Sequence, residues 1–283
     1  VFFSILLTIL KRKSIGGKMK KLVLLSILLI ALSVTLFAEK IKLRVAYEDK
    51  EQPPYYMQNT SEIPKTNPGI SVEMVMLLKK YIPELEIEFT RMPWKRCTYS
   101  LGENQVDAIF NSSYSKERLD IGWYPTTNKQ HTGQVDKDRR LTTISYFLYA
   151  NKNAGIKWDG KLESLTQIIG APMGYSIVND LKNKGVKVEE AQDSMTNLMK
   201  VAKGRIDAAA LQDVTADDIL KNNKKEMGNI VKLNPPVVSK EYYLMLSKKF
   251  VQDNPALAQK IWDTIKVIRE KEFKNLSSKY NKV

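Results

Sequence analysis

Two stretches of this chain follow one pattern. Gly102-Glu103-Asn104-Gln105-Val106-Asp107-Ala108 and Lys203-Gly204-Arg205-Ile206-Asp207-Ala208 each read as a helix end, a polar break, a branched apolar residue, and Asp-Ala opening an apolar strand. The strands predicted there, over 106–110 and 206–211, are apolar beyond the Asp, as strands are when both faces of a sheet are covered. Finding the pattern twice, with helices and strands in similar order around it, predicts two α/β units of like design.

The rest of the chain fits that frame. A strand is predicted over 41–47 (IKLRVAY), where β-branched residues recur with period two. Gln52-Pro53-Pro54 ends it, and 59–68 is a polar loop. A mostly apolar helix is predicted over 70–82, stopped by Pro83. An alternating strand over 84–91, a helix over 94–102 and the strand at 106–110 complete βαβαβ, the order of a largely parallel sheet covered by helices. The second unit begins with a strand over 141–150. Ile168-Ile169 then runs into a turn at Pro172-Met173-Gly174, and a helix over 176–183 is closed by Gly185. A strand at 186–188, a Ser-capped helix over 194–203 and the strand at 206–211 follow. Beyond a polar helical stretch at 214–223, Asn234-Pro235-Pro236 is read as a break before a last strand over 242–247. Leu257, Ile261, Trp262, Ile265 and Ile268 then mark an amphipathic helix over 255–273. The expected division is lobe 1 from 39–140 and 240–283, and lobe 2 from 141–239, with crossings near Arg140 and Val238.

The N-terminal region is read apart from the fold. Met19-Lys20-Lys21, the apolar run 22–37 and the small residue Ala38 have the order of a secretory signal peptide cleaved after Ala38. The run is shorter than the roughly 20 residues a membrane-spanning helix needs. Residues 1–18 are read as an upstream extension. The expectation is therefore a protein that works in the periplasm.

The whole chain carries a net charge of +14, of which six basic residues and no acid lie before Glu39. The remaining excess of +8 is scattered, with no motif that reads RNA or DNA, so nucleic acid is not an expected partner. With 43% hydrophobic residues and a single Cys97, stability has to come from a core and not from a disulfide. One cysteine and one histidine, His131, without a supporting motif do not make a nucleophilic pair.

Five segments in this order resemble the bacterial extracellular solute-binding proteins of family 3, the amino-acid type that feeds ABC importers. They are Pro53-Pro54-Tyr55; Gly69-Ile70-Ser71-Val72-Glu73; Trp94 with Leu101-Gly102 and Val106-Asp107-Ala108-Ile109; Ser113-Tyr114-Ser115-Lys116-Glu117-Arg118; and Gly204-Arg205-Ile206-Asp207-Ala208. The resemblance implies a two-lobed periplasmic-binding-protein-like fold of type II, α/β in class, with a two-strand hinge and a ligand held between the lobes. It implies a monomer that binds a small polar ligand without a cofactor or a metal, and an ABC permease of the inner membrane as partner. It further implies that Arg118 grips a carboxylate, that Ser113 and Asn111 add polar contacts, and that Trp94 walls the site. Gly174, Tyr175 and Ser176 would present a helix N-terminus, where free N–H groups favour an anion.

Two departures bear on the ligand. Gln52 stands where relatives usually have an aromatic residue. An extra alanine also shifts Asp213 one residue past the position from which relatives bind the ammonium group, which here is Gln212. A slip of one residue turns a strand side chain to the other face. The expectation nevertheless places Asp213 in the cleft, through a bulge or at the strand end, because a carboxylate on the helix-packed face would lack a partner. Glu48, Glu51 and Asp213 are the candidate acids should the same fold act as an enzyme, for instance a dehydratase. A sensory subunit that docks on a membrane receptor is the other alternative.

Overall fold

The computed structural model describes residues 40–280; the expected signal peptide and its cleavage site lie outside the described residues. The first unit runs β1 (Ile41–Glu48), α1 (Ile70–Met76), α2 (Leu78–Tyr81), β2 (Leu85–Met92), α3 (Trp94–Gly102) and β3 (Ala108–Ser113). After β4 (Thr142–Asn151), the second runs β5 (Ile168–Pro172), α4 (Ser176–Asn183), β6 (Lys187–Ala191), α5 (Ser194–Ala202), β7 (Ala208–Gln212), α6 (Asp213–Asn222) and α7 (Lys224–Met227). The chain closes with β8 (Ile230–Leu246), α8 (Lys248–Asp253) and α9 (Pro255–Tyr280).

All eight strands form one sheet in the order β2-β1-β3-β8-β4-β7-β5-β6. β1 and β3 are parallel, as are β5 with β6 and β7, while β8 and β4 run antiparallel to their neighbours. The order reads the same from either end, so the repeated Asp-Ala pattern marks a repeated half-sheet. In the first half, Asp107 Oδ2 accepts the Arg44 amide and its carbonyl accepts the Ser247 amide; in the second, Asp207 does the same for Ile168 and Asn151. Each aspartate thus satisfies an N–H of the neighbouring parallel strand, Arg44 within β1 and Ile168 at the start of β5. The aspartate's own strand, β3 or β7, begins one residue after it.

β8 departs from expectation. The break foreseen at Asn234-Pro235-Pro236 lies inside a strand of 17 residues. Pairing with β4 shifts there, from Leu148↔Leu233 to Tyr146↔Val238. The prolines sit in that bulge, where a missing N–H removes no ladder bond. β8 therefore belongs to both halves, pairing with β4 from Ile230 to Tyr242 and with β3 from Tyr242 onward.

α9 packs on α1 and buries Ile261, Trp262, Ile265 and Ile268, and Trp262 donates to the Leu244 carbonyl at 2.8 Å. The segment between Trp123 and β4 is fastened to α9 rather than free. Its Arg139, 2% exposed, pairs with Asp136 and Gln259, and Lys129 reaches Asp263. Gly69 enters α1 at φ +121°, where a Cβ would come within 2.3 Å of the Tyr55 carbonyl oxygen. Only glycine lets Tyr55 and Tyr56 lie this close to the helix start. Among the described residues, no helix is long and apolar enough to cross a membrane.

Candidate functional site

In an open α/β sheet, ligands bind outside the carboxyl ends of the parallel strands. Here the ends of β1, β3, β5 and β7 meet between the half-sheets, around a narrow cavity of about 10 Å³, about the room one water molecule needs. Glu48 ends β1, Asn111 and Ser113 end β3, Tyr175 and Ser176 follow β5, and Gln212 ends β7; all six line the cavity. Trp94, Arg118, Gln52, Tyr56, Tyr146 and Tyr242 complete its wall.

Arg118 sits on a tight turn, Lys116–Asp120, just beyond β3, and is 9% exposed. Its guanidinium donates to the Ser113 carbonyl at 2.8 Å and to the Gly174 carbonyl at 3.1 Å. It lies 5.3 Å from the centroid of a Trp94 ring, and Trp94 Nε1 donates to the same Gly174 oxygen at 3.2 Å. Among the described residues it makes no ion pair, so a buried cation faces the cavity with only carbonyl and hydroxyl oxygens around it.

Asn111 occupies the bulge of β3 at φ +52°, a conformation asparagine tolerates better than most residues. Its Oδ1 accepts from Ser71, while Nδ2 is buried without a partner. Ser113 Oγ meets Ser176 Oγ across the halves at 2.7 Å. Ser176 is the first residue of α4 and leaves capping to Tyr175; its hydroxyl instead takes a bond from Lys240 Nζ at 2.8 Å. Burial lowers the Lys240 ammonium's pKa, and the paired Asp180 opposes that shift.

Sequence reasoning named Glu48 only as a candidate acid. In the structure it is 4% exposed, and Oε2 accepts from Tyr175 at 2.6 Å, Gln52 at 2.9 Å and Tyr56 at 3.1 Å. Burial pushes its carboxyl up to about 7, against the pull of those hydroxyl bonds. Tyr146 and Tyr242 were also missed. Their hydroxyls meet at 2.8 Å, and burial raises Tyr242 to about 12. The signal for Glu48 was its place, the last residue of a parallel strand; for the tyrosines it was a phenol inside an otherwise apolar strand.

Asp213 is the correction. β7 pairs with β4 in unbroken register from Ala150↔Ala208 to Tyr146↔Gln212, so no bulge absorbs the extra alanine. Gln212, 2% exposed, takes the cleft position and donates to Tyr242 at 2.9 Å and Tyr146 at 3.3 Å. Asp213 opens α6, bonds the amide of Val214 at 2.8 Å and does not line the cavity. The helix start gives its carboxylate the partner that sequence reasoning could not find. Cys97 is buried, its thiol pushed up by desolvation, and His131 stacks on Trp123 at 3.6 Å, so the two stand in separate surroundings.

Residues 43–283 match the family profile of the bacterial extracellular solute-binding proteins, family 3, and the chain belongs to that family. No match was found among curated proteins. Solved structures share the fold at low identity. A histidine kinase sensor domain similar to periplasmic binding proteins is 15% identical with a TM-score of 0.66, covering 86% of this chain and 97% of its own. An ancestral arginine-binding protein bound to arginine is 17% identical with a TM-score of 0.63, over 84% and 97%. The substrate-binding protein of an amino-acid ABC transporter is 16% identical with a TM-score of 0.63, over 86% and 100%.

Proposed function

We propose that this protein captures a small carboxylate-bearing solute, an amino acid or a similar polar molecule, between its two lobes and hands it to an ABC permease outside the cytoplasm. The observation that carries this reading is Arg118: a buried guanidinium that makes no ion pair among the described residues and lines a cavity shared by both half-sheets. A guanidinium in a largely dry cleft is matched by a carboxylate, which it can bind in a two-pronged fashion. The lobes divide at the β4 and β8 crossings, near residues 140 and 240, and these two strands act as the hinge. Closure is driven by ligand contacts that both lobes make only when shut. The family and the similar amino-acid-binding structures support the solute class.

A second reading, a ligand-binding sensor that signals through a membrane receptor, is supported by the likeness to a histidine kinase sensor domain. A permease and ATPase encoded beside this chain favour transport, and a kinase or chemoreceptor favours sensing. Thermal denaturation against a library of amino and organic acids tests the binding reading itself. A ligand at 100 times its dissociation constant stabilises the fold by about 2.7 kcal/mol. No stabilisation by any carboxylate, or the same stabilisation in Arg118→Ala, overturns it.

A further inference from the structure

We propose that the dipeptide Gly174-Tyr175 of lobe 2 is a built-in competitor for the solute. In the fully shut protein it takes up polar groups of lobe 1, and a solute is held only once this turn has drawn back. The proposal rests on the reading that a solute binds between the lobes with its carboxylate on Arg118.

The first ground is space. The cavity between the half-sheets offers about 10 Å³, whereas sites for small molecules run to about 300–1,000 Å³. The fully shut form and a solute in the cleft therefore exclude one another. Larger spaces lie directly outside the cavity. One of about 360 Å³ shares Arg118, Tyr175 and Ser176 with it and opens between Lys95 on lobe 1 and Lys182 on lobe 2. Another, of about 240 Å³, shares Glu48 and Trp94 with it and is bounded by Met173. The turn stands between the three spaces, and its withdrawal would join them into one of solute size.

The second ground is what the turn bonds. The Gly174 carbonyl accepts from Arg118 at 3.1 Å and from Trp94 Nε1 at 3.2 Å, standing where one oxygen of a carboxylate would. The Tyr175 hydroxyl donates to Glu48 at 2.6 Å and accepts from Gln52. Two consecutive residues thus serve four lobe-1 side chains that line the cavity. Gly174 lies at φ +77°, and a Cβ there would come within 3.2 Å of Lys95 Cγ and 3.5 Å of Trp94 Cδ1. A glycine lets the turn press this far into lobe 1.

The third ground is that the competitor can be displaced. The turn offers Arg118 one neutral oxygen. A carboxylate offers two oxygens and a charge, the stronger and two-pronged partner. In the solute-holding shut form the solute bridges the lobes; in the self-closed form the turn does. The apparent dissociation constant is then the intrinsic one divided by the fraction of molecules whose turn is withdrawn.

Small-angle X-ray scattering and calorimetry test this on protein dialysed out of guanidinium chloride, which strips co-purified solutes. Without added solute, the native protein is expected to scatter as the shut form. Tyr175→Phe keeps a ring that packs on the lobe-1 core and loses only the hydroxyl; it should show a larger radius of gyration. Gly174→Ala, which drives a methyl toward Lys95 and Trp94, should do the same. A native protein that is already open, or two variants as compact as the native one, overturns the proposal. L-Arginine and L-glutamine, found bound to a similar ancestral protein, serve as binding probes. Whichever of them the native protein binds, Tyr175→Phe should bind about threefold or more tightly, because more molecules have the turn withdrawn. Weaker binding by the variant would mean that the hydroxyl grips the solute, and overturns the competitor. If neither amino acid binds, the scattering decides alone. Native affinity in Arg118→Ala overturns the carboxylate reading instead, and leaves the scattering result to judge the turn.

Discussion

In the first half of the sheet the order is β2-β1-β3 against β8; in the second it is β6-β5-β7 against β4. Asp107 and Asp207 hold the same place in each and accept equivalent backbone amides. The cavity groups from the two halves are nonetheless different in kind. The first half contributes the Arg118 guanidinium and the Glu48 carboxyl, both ionisable and buried. The second contributes the Tyr175 and Ser176 hydroxyls and the Gln212 amide, all neutral. The scaffold is duplicated and the chemistry is not. A ligand's charges would thus be matched on one half before the other closes, and closure would rest on neutral hydrogen bonds worth about 0.5–1.5 kcal/mol each. Contacts of that size can be made and broken on each cycle.

The asymmetry can be broken by substitution. Arg118→Ala is expected to cost about 2–5 kcal/mol of affinity for a carboxylate ligand, roughly 30-fold or more, with the fold retained. Calorimetry paired with circular dichroism would check both parts. A loss no greater than that of a second-half variant would dissolve the contrast between the halves.

Glu48 should make the unliganded protein sensitive to pH. Its carboxyl, held near 7 when folded, favours the protonated form relative to the unfolded chain, where it titrates near its ordinary value. The stability this contributes is full below about pH 4.5 and is lost as pH rises through about 7; it amounts to at most about 3 kcal/mol. Asp49 and Asp193 nearby push the same way, while the Tyr56 and Tyr175 hydroxyls oppose it. Urea titrations at pH 5 and 8 should show the decline in the native chain and a flatter profile in Glu48→Gln.

The paired aspartates offer a subtler comparison. Asp107 also holds the Arg44 guanidinium, at 2.7 and 2.9 Å, whereas Asp207 has a single side-chain bond of 3.3 Å to Ile168. Asp107→Ala should destabilise by about 1.5–3 kcal/mol and Asp207→Ala by about 1 kcal/mol, measured by denaturant unfolding. Equal costs would mean that the backbone bond alone matters. Smallest of all, Ser176→Ala should weaken ligand binding by about 1 kcal/mol, the value of one neutral hydrogen bond. A loss as large as that of Arg118→Ala would show that Ser176 also governs closure.

Most elements could be read from periodicity because each has its own signature, such as the alternation in Glu86, Glu88 and their apolar neighbours, or the stripe of α9. The failures share a cause. Prolines 235 and 236 break local propensity, yet a bulge opposite Phe147 lets β8 pass through them, a fact of pairing invisible along one strand. Asp213 was misplaced because its partner is the N–H of the very next residue, where the helix read from 214 onward already begins. Arg118, Trp94 and Ser113 were found through motif resemblance. Glu48 acquires its character only when Tyr56 and Tyr175 fold onto it from residues far apart in the chain.

The last described residue reaches the segment that carries Tyr56 toward the cavity. Tyr280 lends its hydroxyl to the Gly69 amide at 2.8 Å and to Glu73 at 2.5 Å, beside the loop that presents Tyr56 to Glu48. A reporter group attached so that it strains the turn around Tyr280 would consequently disturb the start of α1. Tyr280→Phe would loosen the loop behind Tyr56 from more than two hundred residues away in the sequence.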